Sequence, residues 1–267
     1  MFHISLCPFS LSIGNFSTNM NIGIIPARLN SKRFPKKILT PLNGKPMVVN
    51  TVERSLMAKN LDRVILAIDS EEAKNALNGF DFEIVMTSKE HTSGTDRIAE
   101  VAQGIEEANI IINIQGDEPM IDPKIIDSLI NKLENPIVEF ATIISPKLSA
   151  ADILNPNVVK AFINEREEII QFKRNIFDFQ IGGAYRHIGI YGYTRDTLMK
   201  FTKLKPSENE LAEKLEQLRA IDNDIKIHAL IEDYESISVD TEQDLETLVG
   251  LLNSESEKQR TNENKNN

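Results

Sequence analysis

One cysteine, Cys7, stands in 267 residues, which excludes an internal disulfide. A lone thiol fits a reducing compartment, and the expected location is the cytoplasm. No apolar run approaches the length needed to cross a bilayer, so membrane insertion is not expected. Met1 to Asn19 contains neither Lys nor Arg and lacks the charged start and long apolar stretch of a secretory signal. These nineteen residues are expected to be a disordered extension or the product of an upstream start codon. A basic excess is missing too. The chain has 30 Lys and Arg against 40 Asp and Glu, a net charge of -10, whereas a nucleic-acid backbone demands a basic face. The phosphate-loop pattern G-x-x-x-x-G-K-[ST] is absent, and Gly23 alone makes no dinucleotide fingerprint.

What is present is a chain with 41% hydrophobic residues, enough for one large core or a core with a lobe. Its organising stretch runs from Ile22 to Met47. Ile22 to Ile25 is a short apolar run bounded by Pro26, which reads as a buried first strand feeding a loop. Five cations follow: Arg28, Lys32, Arg33, Lys36 and Lys37. Positive charges crowded at a strand's end repel one another and call for an anion. Forked arginine donors and mobile lysine charges suit a polyphosphate, although a solvated basic loop has the same composition.

Strands and helices then alternate, which favours a mostly parallel sheet covered on both faces. Pro46 sits where a helix would start, with Met47 to Lys59 as its body. Strands are expected at Arg63 to Ile68, Phe82 to Met86, Ile110 to Ile114 and Glu139 to Ile144. Glu71 to Leu77 reads as a short helix. Ile98, Val101, Ala102 and Ile105 recur at helical spacing, with Thr95 or Asp96 as the cap, and Asp122-Pro123 opens a helix through Leu133. Val158 to Ile163, Glu168 to Phe172 and His187 to Tyr193 suggest an antiparallel lobe. Ser207 and Glu210 form a capping-box pattern before Leu211, Leu215 and Leu218, read as one apolar stripe. Ile225 to Ile231 and Ile237 to Val239 read as the last strands, followed by a helix from Thr241 to about Leu252. Ser254 to Asn267 has almost no apolar side chain and is expected to be disordered.

In open α/β sheets, ligands lie beyond the carboxyl ends of strands. Three such positions stand out: the basic loop, Asp117 in Gln115-Gly116-Asp117-Glu118-Pro119, and Asp240 after Val239. Two carboxylates just past two strands can hold a hard cation against a nucleotide's phosphates, and either can equally be a turn or capping residue.

Arg28-x-x-Ser31-x-Arg33-x-Pro35-x-Lys37 followed by Asn43-Gly44-Lys45-Pro46-Met47 resembles the signature of the 3-deoxy-manno-octulosonate (Kdo) cytidylyltransferases, the CMP-Kdo synthetases. The likeness runs in order from about Ile22 to about Leu248. It includes HTSGTDR (His91 to Arg97), NIQGDEP (Asn113 to Pro119), HIGIYGY (His187 to Tyr193), EKLEQLR (Glu213 to Arg219) and VDT (Val239 to Thr241). The resemblance implies an α/β nucleotidyltransferase: a mostly parallel, Rossmann-like central sheet with a smaller mixed or antiparallel lobe, residues 20–253 forming one domain with the lobe at about 158–193. It implies coupling of CTP to Kdo, with release of diphosphate, by a homodimer using Mg²⁺.

By the same resemblance, Asp117 and Asp240 hold the metal, and Arg28, Arg33 and Lys37 act on the leaving diphosphate. Ala27, Arg28, Ser31, Lys37, Thr87, Ser88 and Ser93 would meet CTP. Arg97, Gln115, Arg174, His187, Glu216 and Gln217 would meet the sugar. One segment departs from the pattern: the family's Tyr-Phe-Ser-Arg run is Gln171-Phe172-Lys173-Arg174 here, and no proline lies between Asn175 and Tyr185. A related acid sugar, an amino-substituted Kdo or a sialic-type acid, is the neighbouring possibility, and a catalytically silent nucleotide-binding module the alternative of another class.

Overall fold

A computed structural model describes residues 19–31, 33–176 and 183–263, with side chains through Ser254. The expectations for Met1 to Thr18 and for Lys32 lie outside these residues. The strands are β1 (Met20–Ala27), β2 (Pro41–Leu42), β3 (Lys45–Pro46), β4 (Arg63–Ile68), β5 (Glu83–Met86), β6 (Ala108–Asn113), β7 (Phe140–Ser145), β8 (Lys160–Ile163), β9 (Ile169–Lys173), β10 (Ala184–Thr194) and β11 (His228–Ile231). The helices are α1 (Met47–Ser55), α2 (Glu71–Ala76), α3 (Gly94–Gln103), α4 (Pro123–Leu133), α5 (Ala150–Leu154), α6 (Arg195–Phe201), α7 (Glu208–Glu213), α8 (Leu218–Ile221) and α9 (Glu242–Glu263).

The main sheet has the order β11-β7-β10-β6-β1-β4-β5. β1 pairs parallel with β4 and β6, β4 with β5, and β7 with β11, while β10 runs antiparallel between β6 and β7. The hairpin β8–β9 joins through β8 to the start of β10. This is the expected mostly parallel sheet with an antiparallel lobe. Alternation along each strand feeds two cores. Ile25, Leu66, Ile112 and Ile114 face the layer of α1 and α4, while Ile22, Ile24, Ile65 and Ile111 face that of α3 and α6. Successive side chains of a strand point to opposite faces, so a strand buried on both sides reads as an unbroken apolar run.

Local chemistry explains several boundaries. Asn43 and Gly44 both take positive φ, 53° and 78°, and turn β2 into β3. Asp122 caps α4, its carboxylate accepting from the Lys124 N–H at 3.0 Å, with Pro123 at the first helical position. α3 starts two or three residues earlier than expected: the cap is Ser93, whose hydroxyl accepts from the Asp96 N–H at 3.0 Å, and Thr95 and Asp96 lie inside the helix. α1 stops at Ser55 rather than Lys59; the Ser55 hydroxyl donates to the Thr51 carbonyl at 2.7 Å, and the chain turns so that the Asn60 N–H meets Asp127 at 2.8 Å.

Two corrections matter for the site. The stripe Leu211, Leu215 and Leu218 does not lie on one helix: α7 ends at Lys214, in the left-handed region at φ 55°, and Leu211 is exposed whereas Leu215 and Leu218 are buried. The break is stabilised from both sides, because Arg174 donates to the freed carbonyls of Glu213 and Lys214 and Arg219 forks onto Glu210 at 2.5 and 2.7 Å. Ile237 to Val239 is not a strand but an arm with one backbone bond, from the Val239 N–H to the Asp117 carbonyl at 2.9 Å. It is held instead by packing, Val239 and Leu248 meeting Phe34, Leu42 and Met47. β11 is likewise shorter than expected.

α9 continues to Glu263, past the expected end near Leu252 and into the stretch read as disordered. A helix already nucleated by its packed first turns adds further residues at little cost when they are helix formers such as Glu, Lys, Gln and Arg. Residues 264–267 lie outside the described ones. The largest aromatic cluster centres on fully buried Phe140, whose ring lies 4.3 Å from that of Tyr193 and 5.9 Å from that of Phe201. Phe140→Ala is expected to cost about 3–5 kcal/mol, read as a lowered midpoint of urea unfolding; an unchanged midpoint would mean that this cluster is not part of the cooperative core.

Candidate functional site

Two cavities open at the carboxyl ends of β1 and β6 and share a wall. The first, about 850 Å³, lies between the basic loop and the start of α3 and is lined by Ala27, Arg28, Ser31, Lys37, Ser93 and Arg97 among others. The second, about 920 Å³, lies under β10 and the break between α7 and α8, and its lining includes Arg174, His187, Glu216 and Gln217. Arg33, Gln115, Asp117, Lys214 and Asp240 line both. Apart from Thr87 and Ser88, the residues read from the sequence therefore sort onto two sides of a junction occupied by the two aspartates.

The junction is built by backbone before side chains enter. Gly116 lets the end of β6 approach β1, since a Cβ there would stand 3.2 Å from the Pro26 carbonyl oxygen. The Val239-to-Asp117 bond then places Asp240 beside Asp117. Thr241 and Asp244 fix the arm by a reciprocal cap, the Thr241 N–H donating to the Asp244 carboxylate at 2.8 Å and the Asp244 N–H to the Thr241 hydroxyl at 3.2 Å. Lys37 enters from a 3₁₀ turn at Lys37–Leu39, and its Nζ lies 2.6 Å from Asp117 Oδ2 and 3.2 Å from Asp240 Oδ1. Arg33 reaches the same Asp240 oxygen at 3.0 Å. Of the loop's other cations, Lys36 leaves the site to pair with Glu72 on α2, and Arg28 makes no ion pair among the described residues and is exposed to the first cavity.

Arg97 belongs with the first cavity rather than the second, where the sugar contacts gather. Its guanidinium is buried and donates to Asp69 at 3.0 Å and to the Thr87 hydroxyl. Asp69 also accepts from the Leu29 N–H at 3.2 Å, so the ion pair braces the base of the basic loop. Thr87 and Ser88 do not line either cavity: Thr87 bonds back to the Ile68 carbonyl behind Arg97, and the Ser88 N–H donates to Glu100. Asp69 was missed from the sequence although it stands directly after β4, where the rule on strand ends would have flagged it.

On the second side, His187 lies within β10 rather than at its start. Burial pushes its pKa down to about 3, so the ring is neutral, with Nε2 3.0 Å from the Thr142 hydroxyl and the Phe172 ring edge-on at 4.9 Å. Glu216 accepts from the Thr95 hydroxyl at 2.6 Å, its pKa is raised by burial, and its Oε1 is buried with no hydrogen-bond partner. A neutral imidazole, a primary amide and a carboxyl with a spare oxygen suit hydroxyl groups. Arg174 carries its donors to the carbonyls of Pro156, Glu213 and Lys214, so it frames this cavity by holding its rim. Lys214, the left-handed hinge, lines both cavities and had no signal in the sequence.

Glu118 is a further group that sequence reasoning passed over. It lines the second cavity, is buried, and its Oε2 has no hydrogen-bond partner. Burial first, and neighbouring Asp117 second, push its carboxyl up to about 8. An unfolded glutamate titrates at about 4.3, so between these values the unfolded chain has released a proton that the folded chain keeps. Stability from this group is therefore fully present below the unfolded value and is lost as pH rises towards the folded one. Glu118→Gln is expected to gain melting temperature over the parent progressively from about pH 5 to 8, the difference shrinking towards about pH 4. A difference independent of pH in thermal melts would show that Glu118 titrates as an ordinary solvated carboxyl.

Residues 22–227 match the family model described as Cytidylyltransferase. The chain is 43% identical over 250 residues to the 3-deoxy-manno-octulosonate cytidylyltransferase of Geobacter sulfurreducens, covering 87% of this chain and 100% of that protein. It is 42% identical to the protein of the same name from Geobacter metallireducens, covering 86% and 96%. Among solved structures, CMP:2-keto-3-deoxy-manno-octonic acid synthetase complexed with CTP superposes with a TM-score of 0.83 at 36% identity, over 88% of this chain and 99% of that one. Sequence and fold agree, and the chain belongs to the family of the 3-deoxy-manno-octulosonate cytidylyltransferases.

Proposed function

We propose that this enzyme couples CTP to Kdo, releasing diphosphate and making the CMP-sugar used for lipopolysaccharide. The observation that carries the reading is the pair of cavities meeting at Asp117 and Asp240, one holding Arg28, Arg33 and Lys37, the other holding the hydrogen-bonding groups His187, Glu216 and Gln217 beside Arg174 and Arg186. The triphosphate would lie along Arg28, Arg33 and Lys37, with the Ser93 end of α3 offering free N–H groups to the nucleotide. Kdo would sit against His187, Glu216 and Gln217, with Gln115 at the boundary. Its anomeric oxygen forms a bond to the α-phosphorus, the bond from that phosphorus to the β-phosphate bridging oxygen breaks, and the hydroxyl proton leaves to solvent. No covalent enzyme intermediate is required. Positioning across the junction and the cations on the departing diphosphate supply much of the rate.

The donor set fits Mg²⁺. Two carboxylates already converge on one cation, the Lys37 ammonium, and among the described residues no cluster of three or more His, Cys, Asp or Glu exists that would favour another metal. Magnesium commonly takes one or two carboxylates and completes its shell with water and phosphate oxygens. Held by Asp117 and Asp240, it would supply positive charge at the α-phosphate. A homodimer in the cytoplasm completes the proposal. The dimer is supported by β9, whose ladder among the described residues is with β8 and which carries exposed Ile170, and the compartment by the lone cysteine.

Pyrophosphate release is expected with CTP and Kdo, to stop with a chelator, and to fall sharply with ATP or with a sialic-type acid. Turnover indifferent to chelation would remove the metal from the proposal, and equal turnover of another sugar would reassign the substrate. The two ends of the site are expected to separate kinetically. Asp240→Asn should lower kcat on the order of a hundredfold or more, since charge stabilisation grows in the transition state. Glu216→Ala should raise the Kdo KM roughly tenfold and leave that for CTP nearly unchanged, one lost buried hydrogen bond being worth about 1–3 kcal/mol. A Glu216→Ala enzyme weakened only towards CTP would reverse the assignment of the cavities.

A further inference from the structure

Resting on the reading of Asp117 and Asp240 as the metal pair, we propose that Lys37 is their built-in counter-ion, which keeps a divalent cation weakly held until a triphosphate gives the ammonium another partner. The geometry is specific. One Nζ lies within hydrogen-bond distance of both carboxylates, and it is the most buried member of the group, its side chain 10% exposed against 27% for Asp117 and 39% for Asp240. Arg33 adds a second positive charge on the Asp240 oxygen that Lys37 also contacts. Two carboxylates facing two cations present little net charge to an incoming metal ion, and that ion must displace the ammonium to use the same oxygens.

The chain is built so that the ammonium can leave. The backbone around Lys37 is fixed, with Ile38 buried in the main core, but the four-carbon stem lines the first cavity and can turn towards phosphate oxygens there. A triphosphate in that cavity competes for Lys37 and Arg33 with several negative charges of its own. As they move to it, the two carboxylates are uncovered and the phosphates complete the cation's shell. The coupling is reciprocal: whatever factor the nucleotide adds to metal affinity, the metal adds to nucleotide affinity. The enzyme therefore takes up its metal with the triphosphate rather than before it, and free divalent ions do not hold the aspartates in advance.

The test is Mn²⁺ binding to the whole protein without nucleotide or sugar, followed by the electron paramagnetic resonance signal of free Mn²⁺. The parent is expected to bind weakly. Lys37→Met should bind on the order of tenfold to a hundredfold more tightly, because a unit charge next to the site has gone. Lys37→Arg keeps that charge and should stay as weak as the parent. A Lys37→Met, Asp117→Asn double variant should lose the tight binding, which places the ion at this pair. Should Lys37→Met not fold by circular dichroism, Arg33→Gln, at an exposed position, should still tighten Mn²⁺ by a smaller factor. Equal affinity in the parent and the charge-removed variants overturns the counter-ion while leaving the two-aspartate site in place. Failure of every variant to bind Mn²⁺, even with CTP added, overturns both.

Discussion

A single backbone hydrogen bond, from Val239 to the carbonyl of Asp117, sets the distance between two parts of the chain that are more than a hundred residues apart. One end belongs to the tip of a buried parallel strand. The other belongs to an arm with no ladder of its own, held by Val239 and Leu248 against Phe34, Leu42 and Met47. Those three residues come from the basic loop and the elements that follow it. The same small apolar cluster therefore seats the arm that carries Asp240 and the loop that carries Arg33 and Lys37. Burial of a few side chains does what a ladder would do in a stiffer design: it brings opposite charges to hydrogen-bond distance without a strand at that place.

Charge in this molecule is arranged against its overall balance. The chain carries -10, yet two cations of its basic loop, Arg33 and Lys37, meet at a junction of carboxylates. Two further pairs frame it. Asp69 and Arg97 brace the loop from below, and Arg219 on Glu210 holds the helix break that presents Glu216 and Gln217. Each pair is well buried and hydrogen-bonded, the condition under which removing one partner is costly because it leaves a buried charge alone. Rigid pairs around the rim and a movable ammonium at the centre divide the work between shape and response.

Much of this was legible in the sequence because it depends on local chemistry. The Asp122-Pro123 helix start and the apolar runs of β1, β4 and β6 are decided by residues within a turn of one another, although β1 runs through Pro26 to Ala27 instead of stopping at the proline. So were the positions of both aspartates, Asp240 directly after Val239 and Asp117 three residues past Ile114, since a carboxylate close behind an apolar run is visible without the fold. What could not be read depends on distant partners. The helix break at Lys214 exists because Arg174, forty residues earlier, receives its carbonyls. Ile237 to Val239 has the composition of a strand but is seated by distant apolar partners and a single bond to Asp117. Thr87 and Ser88 follow a strand as a ligand contact would, yet Arg97 and Glu100 claim them first. The tail beyond Leu252 was judged by its lack of apolar surface, and a helix already nucleated does not require any.

β10 runs against the direction of its neighbours, and this has a consequence for how the enzyme can vary. The second half of the strand is clamped between β6 and β7, with Tyr191 opposite Asn113 and Thr142, and the first half carries His187 and joins the lobe through Ala184 to Arg186. A register shift between Ile188 and Tyr191 separates the two halves. Insertions or deletions between β9 and β10 are thus absorbed before the chain reaches the clamped part, because moving that part by one residue would turn its buried side chains to the wrong face.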